Sequence, residues 1–242
     1  MPGIRTTNFV DSNGVDLGKK LVTKDYLLEV YGSILENSPA SGLVVTPELW
    51  DINGAPTPSV FTGSNWKQVS TGLNHTMAIK TDGSLWGTIF TNNTPDRQGQ
   101  LGTNDTANKV TPVTTFAGGT NWKSVSCELN YTAAIKTDGS LWLWGQGDNG
   151  RLGTNDTTRR STPVTTFSGG TNWKQVSCGE DQTMAVKTDG TLWGWGQGSA
   201  GRLGTNGNSS GVPVTTFAGG NNWKQVSASN VNGAAIKYSP DP

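Results

Sequence analysis

The fold is decided by Trp173–Gly204, "WKQVSCGEDQTMAVKTDGTLWGWGQGSAGRLG". "WKQVS" reads as a first strand. "TMAVK" is a continuous apolar run, as expected of a second strand covered on both faces. "TDG" predicts a tight turn, because Asp-Gly readily supplies the positive φ that a twisted hairpin needs. "LWGWG" is the third strand. A glycine loop follows and ends in "GRLG", whose Leu203 is predicted to plug into the core. Beyond the stretch, "VPVTTF" (Val212–Phe217), a near copy of the "TPVTTF" of the other units, supplies a fourth strand, with Pro near its start where no ladder donor is lost.

The same unit recurs along the chain. "NWKQVS" or a near copy begins at Asn65, Asn121, Asn172 and Asn222, which sets the Trp periods at 56, 51 and 50 residues. "KTDG" recurs at Lys80, Lys136 and Lys187, and "LGTN" at Leu101, Leu152 and Leu203. The first period is longer because five residues are inserted in "WGTIFTNNTPDRQGQLG". Four strands per unit of this length is the signature of a propeller blade. Composition agrees: 33 Gly and 10 Trp in 242 residues favour short strands and tight turns over helices.

Three complete blades run from Asn65 to Phe116, Asn121 to Phe167 and Asn172 to Phe217. "NNWKQVSASNVNGAAIKY" then supplies strands one and two of another. Near the start, "PELWDINGAPTPSVF" (Pro47–Phe61) supplies the complement: Leu49 and Trp50 as strand three, Ser59–Phe61 as strand four. The expectation is an all-β, four-bladed β-propeller over residues 41–242, closed by N- and C-terminal half-blades. The matched parts favour closure within one chain; exchange between subunits is the alternative. "GLVVTPELW" also aligns with "AIKTDGSLW", so Leu43–Val45 competes with Ala235–Lys237 for strand two.

These residues carry a family resemblance. Trp173–Gly204 resembles the repeat of the regulator of chromosome condensation family: a small-residue and Gly step, a polar "H-T" position, "DG", "WG.G" and "G.LG". The resemblance implies a β-propeller. The eukaryotic namesake has seven blades and acts as an exchange factor on a small GTPase. This chain is expected to hold too few blades for that role, and it lacks a basic face.

Residues 1–40 match no blade and are expected to form a separate arm with a short helix in "TKDYLLEVYGSILEN". Thr23 can cap that helix and Asp25 suits its first turn. "NSPASG" reads as the linker that follows. An isolated helix of this length needs a surface to dock on. Ile4, Phe9, Val22, Tyr26, Leu27, Val30, Tyr31 and Ile34 are the candidate attachment residues. The arm "IRTTNFVDSNGVDLGKKLVTKDYLLEVY" is similar to the N-terminal leader of tailed-phage virion proteins, especially from marine and cyanobacterial phages. That resemblance implies a non-enzymatic structural protein located in the virion and made in the host cytoplasm. It would be held through residues 1–40 to other virion proteins, at the tail or fibre rather than the head. It would also be a homo-oligomer in the particle and a candidate for contact with a host surface. The alternative is a soluble propeller acting as a protein-binding module or inhibitor.

Composition excludes other classes. The net charge is zero with 15% charged residues, so nothing points to nucleic acid or to anionic lipid. No apolar run is long enough to span a bilayer, and the N-terminus lacks the apolar core of a secretory signal. No cofactor, catalytic residue or metal site is expected. "GQGDNG" (Gly145–Gly150) and "GQGSAG" (Gly196–Gly201) match G-x-G-x-x-G but lead to "RLGTN", not to a helix. "TNDT" at Thr103 and Thr154 has too few carboxylates to hold calcium strongly. Cys127 and Cys178 occupy a repeat position that holds Thr71 and Ala228 elsewhere, so a small buried residue is expected there. His75 is the sole histidine.

Comparing the repeats with one another shows where they vary. Variation collects in the turn between strands one and two, "TGLNH", "CELNY", "CGEDQ" and "ASNVN", and in the inserted Ile89–Arg97. A propeller usually binds through loops at one rim, so His75, Ile89, Phe90, Arg97, Tyr131 and Gln182 are the candidate rim contacts.

Overall fold

The computed structural model describes residues 65–89, 98–107, 109–230 and 232–238. The expected closing strands (Leu49–Trp50 and Ser59–Phe61), the whole arm with its eight candidate attachment residues, and Phe90 and Arg97 lie outside the described residues.

Three four-stranded antiparallel sheets and one two-stranded sheet follow one another along the chain. Blade I is β1 (Trp66–Thr71), β2 (His75–Lys80), β3 (Leu85–Ile89) and β4 (Val113–Thr114). Blade II is β5 (Trp122–Glu128), β6 (Tyr131–Lys136), β7 (Leu141–Gly145) and β8 (Arg160–Thr165). Blade III is β9 (Trp173–Cys178), β10 (Gln182–Lys187), β11 (Leu192–Gly196) and β12 (Ser210–Thr215). Half-blade IV is β13 (Trp223–Ala228) and β14 (Gly233–Lys237). Strands pair in sequence order within each sheet, the meander that short turns dictate.

The "KTDGSLW" signature has a complete physical account. In blade II, Gly139 alone in the turn takes a positive φ (81°), so the turn uses one left-handed residue, not two. Asp138 Oδ1 accepts from the Ser140 N–H (2.9 Å) and hydroxyl (2.6 Å), and Ser140 Oγ accepts from Trp142 Nε1 (2.9 Å). Those hydrogen bonds hold the Asp138 carboxyl below its ordinary pKa. Lys136 lies between Trp122 and Trp142, 4.7 Å from each ring centroid. A register shift between Trp122 and Ser124 turns Trp122 to face that lysine. Blades I and III repeat the set with Lys80 and Lys187.

The fourth strand differs from expectation. In blades II and III it starts two residues earlier, at Arg160 and Ser210, so Pro163 and Pro213 lie well inside it. Both sit at register shifts, Leu143/Gly145 and Gly194/Gly196, where a missing N–H costs no ladder bond.

The core lies in the seams between blades. Met77, Ile79, Leu85, Ile89 and Leu101 of blade I pack on Trp122, Val125, Cys127, Ala134 and Trp144 of blade II. Tyr131, Ile135, Leu141, Leu143 and Leu152 of blade II pack likewise on Trp173, Val176, Cys178 and Trp195 of blade III. Leu101, Leu152 and Leu203 are all buried, the plugs that "LG" after the glycine loop predicts.

Candidate functional site

Each seam is closed by a polar node as well as by apolar packing. Between blades I and II, the Gln100 carbonyl accepts from Thr132 Oγ1 (2.9 Å) and from Trp144 Nε1 (2.8 Å). His75 Nε2 lies 2.9 Å from the same Thr132 oxygen. Because the Thr132 proton goes to Gln100, neutral His75 donates through Nε2–H. Burial pushes the His75 pKa down to about 4. Between blades II and III, the Arg151 carbonyl accepts from Thr183 Oγ1 (2.8 Å) and Trp195 Nε1 (2.9 Å). There Tyr131 replaces histidine, its hydroxyl reaching the carbonyls of Gly179 (2.9 Å) and Gln182 (2.7 Å). Between blade III and half-blade IV, Gln182 Nε2 donates to the Ser229 carbonyl (2.9 Å).

This overturns four of the expected rim contacts. His75, Tyr131 and Gln182 are fully buried and each reaches across a seam into the next blade. Ile89 is buried at the end of β3, opposite His75. None presents a side chain to a partner. The repeat-to-repeat variation is seam-specific fitting: each side chain is matched to a partner 47 to 57 residues further on.

A buried ion pair reinforces the second seam. Arg151 donates to Asp181 Oδ1, to the Glu180 carbonyl (2.7 Å) and to the Asp148 carbonyl (2.9 Å). Sequence comparison did not single out Arg151, although "GRLG" against "GQLG" marks the position. At Leu203 the preceding Arg202 donates to Ser199, and Val231 stands where Asp181 does.

Other motifs are absorbed by structure. Asp105 and Asp156 are engaged by Thr103 and Lys109, and by Thr154 and Arg160, within their own turns. The two glycine-rich matches enter three-residue 3-10 turns, Asp148–Gly150 and Ser199–Gly201, not α-helices. Among the described residues no cluster of three or more His, Cys, Asp or Glu could hold a metal ion. Both cysteines are free and buried, as a small-residue slot requires. Burial pushes the Cys178 thiol up to about 12 and Cys127 higher still. Neither thiol is therefore expected to react with iodoacetamide in the folded protein; labelling should appear only with global unfolding, and rapid native labelling would contradict this packing.

Two features of the described surface bear on binding. Phe116, Phe167 and Phe217 are 65%, 69% and 85% exposed. They hold equivalent positions just after the outer strands, one per blade, where each Phe N–H is tied to the carbonyl of Gly102, Gly153 or Gly204. The second feature is a cavity of about 290 Å³ between blade III and half-blade IV, lined by Met184, Leu192, Arg202, Gly204, Thr216 and Gly233 among others. Its place in the repeat is the one that Trp144 and Trp195 fill, for those indoles abut Gly102 and Gly153. Gly233 also stands where Thr132 and Thr183 do, so the Arg202 carbonyl lacks that hydroxyl donor.

Comparison with known proteins supports this reading of the repeat. Residues 138–186 and 173–202 match the Regulator of chromosome condensation (RCC1) repeat. The chain is 34% identical over 147 residues to the Ultraviolet-B receptor UVR8 of Arabidopsis thaliana, covering 59% of this chain and 32% of that protein. It is 35% identical over 118 residues to the E3 ubiquitin-protein ligase HERC2 of Homo sapiens, covering 46% of this chain and 2% of that one. It thus spans about a third or less of the curated relatives it matches. In structure it is similar to Prp20p of Saccharomyces cerevisiae (TM-score 0.59, 20% identity, 73% of this chain and 45% of that chain). It is also similar to human WBSCR16 (TM-score 0.60, 21% identity, 72% and 45%). The chain carries RCC1 repeats on an RCC1-like propeller fold.

Proposed function

We propose that this protein is a non-catalytic protein-binding propeller whose outer edge, marked by Phe116, Phe167 and Phe217, engages a partner. The exposed phenylalanine on each of three successive blades carries the reading. Contiguous exposed apolar surface marks interaction sites, and the three rings, repeated at one position of successive blades, are taken as such a surface. Thr132, Trp144, Thr183, Trp195 and Gln182 spend their buried donors on backbone carbonyls at the seams, whereas the three rings are left facing water. Prp20p, a structural relative, was characterised for binding Gsp1p and histones, and proteins bound by such a propeller are the ligand class proposed here. Completion of the fourth blade by residues 48–61 belongs to this reading. A place in a phage particle rests on residues 1–40, outside the described residues, and the similar proteins named above lend it no support.

The test is affinity capture with the wild-type chain and with the triple variant Phe116→Ser, Phe167→Ser, Phe217→Ser. Captured partners should be lost from the variant while its thermal unfolding stays unchanged, since the rings contribute little to the seams. Retention of the same partners by the variant would refute the edge as the binding surface.

A further inference from the structure

The described blades form an arc whose two end faces are unmatched halves of one repeated joint. At the first seam, Gln68 grips the backbone of the next blade: Nε2 donates to the Val125 carbonyl (3.0 Å) and Oε1 accepts from the Val125 N–H (3.1 Å). Ser70 Oγ accepts from the Cys127 N–H (2.8 Å). At the third seam Gln175 grips Val226 (2.9 Å in both directions) and Ser177 accepts from the Ala228 N–H (2.8 Å). The second seam keeps the serine, with Ser126 accepting from the Cys178 N–H (3.0 Å).

Half-blade IV carries the gripping side chains again, as Gln225 and Ser227, and both are exposed. On the same face Ile236 is 56% exposed, whereas Ile79, Ile135 and Val186 at its repeat position are wholly buried. Blade I carries the gripped side. Val69 is 42% exposed, whereas Val125, Val176 and Val226 are buried. Thr71, at the position of Cys127 and Cys178, is exposed as well. The gripping face of one end therefore fits the gripped face of the other, residue for residue.

We propose that these faces join two copies of this chain head to tail. In this joint Gln225 grips the backbone of the partner's Val69, Ser227 accepts from the N–H of the partner's Thr71, and Ile236 covers the partner's Val69. The curvature selects a second copy. The arc superposes on Prp20p and WBSCR16 while covering 45% of each chain, so it has the curvature of a larger ring of which it supplies about half the chain. Joining its own ends would need roughly a quarter turn per blade, the geometry of a four-bladed ring. A head-to-tail contact between two such arcs closes when repeated by a two-fold axis, and both new joints are then identical. The joint uses none of the three edge phenylalanines, so the edge-binding reading and this one stand or fall separately.

Light scattering on the full chain should give twice the chain mass. Val69→Asp alters a side chain already in water, so it should leave the fluorescence melt of a single arc intact while weakening association at least tenfold. Thr71→Cys and Ser227→Cys place thiols at a contact whose counterparts touch within the chain. An equimolar mixture of the two single variants, treated with a short bismaleimide, should yield a covalent pair. A wild-type mass of one chain across the micromolar range overturns the proposal, as does a dimer indifferent to Val69→Asp. So does a double variant that cross-links only within one chain, which would establish closure of a single-chain ring.

Discussion

Trp144→Ala is expected to remove about 3–5 kcal/mol of stability, the usual cost of deleting a fully buried indole. The indole is fully buried between blades I and II, edge-on to Trp122 with ring centroids 5.9 Å apart. Its Nε1–H is one of two donors to the Gln100 carbonyl. Truncation empties a space bounded by Gly102, whose Cα side abuts the indole, and the surrounding strands cannot collapse into it without breaking their ladders. A small domain holds only about 5–15 kcal/mol in total. The variant should therefore unfold at much lower urea, and a shift worth less than about 1 kcal/mol would show that the seam is not the core.

Acid should weaken the same seam through His75. The folded protein holds this imidazole neutral with a pKa of about 4, against 6.5 for the unperturbed group. Above pH 6.5 the ring is neutral in both states and pH has no effect through it. As pH falls below 6.5, the unfolded chain takes up a proton that the folded chain refuses. Stability should fall by about 1.4 kcal/mol per pH unit and level off near pH 4, a total of about 3 kcal/mol. His75→Gln places at this position the side chain that blade III uses, Gln182. The difference between wild-type and variant stabilities should vary over pH 4–6.5 with that slope. A flat difference would mean that His75 is protonated or solvated in the fold.

Much of the blade was legible in one dimension. Turn chemistry is local: "TDG" determines a hairpin because Gly139 alone in that turn must adopt a positive φ and Asp138 caps the residue two ahead. The small-residue slot at Cys127 and Cys178 showed in the comparison of repeats, because packing at a seam limits volume wherever it recurs. The start of β8 was misread by two residues, since Pro163 in a strand signals an edge or a bulge and only the pairing with β7 tells which.

The candidate site was read less well. His75, Tyr131 and Gln182 vary among repeats and are polar or amphipathic, which in a sequence suggests exposure. Each nonetheless opens a second strand whose first five residues are all buried. A residue immediately before "TMAIK" in a strand covered on both faces was the available signal. The exposed phenylalanines carried no signal in the sequence beyond ending "TTF", the close of a fourth strand.

By itself the sequence determined the repeat, the four-strand order within a blade, the turns and the plug leucines. All of these depend on neighbours within one unit of about fifty residues. Tertiary structure decided which way each variable side chain points and what it meets. Those partners come from the next blade, so their energies depend on how one sheet stacks on another. The same holds for the unmatched end faces: Val69 and Ile236 look like any other blade residues in the sequence, and only the stacking shows that each lacks its neighbour.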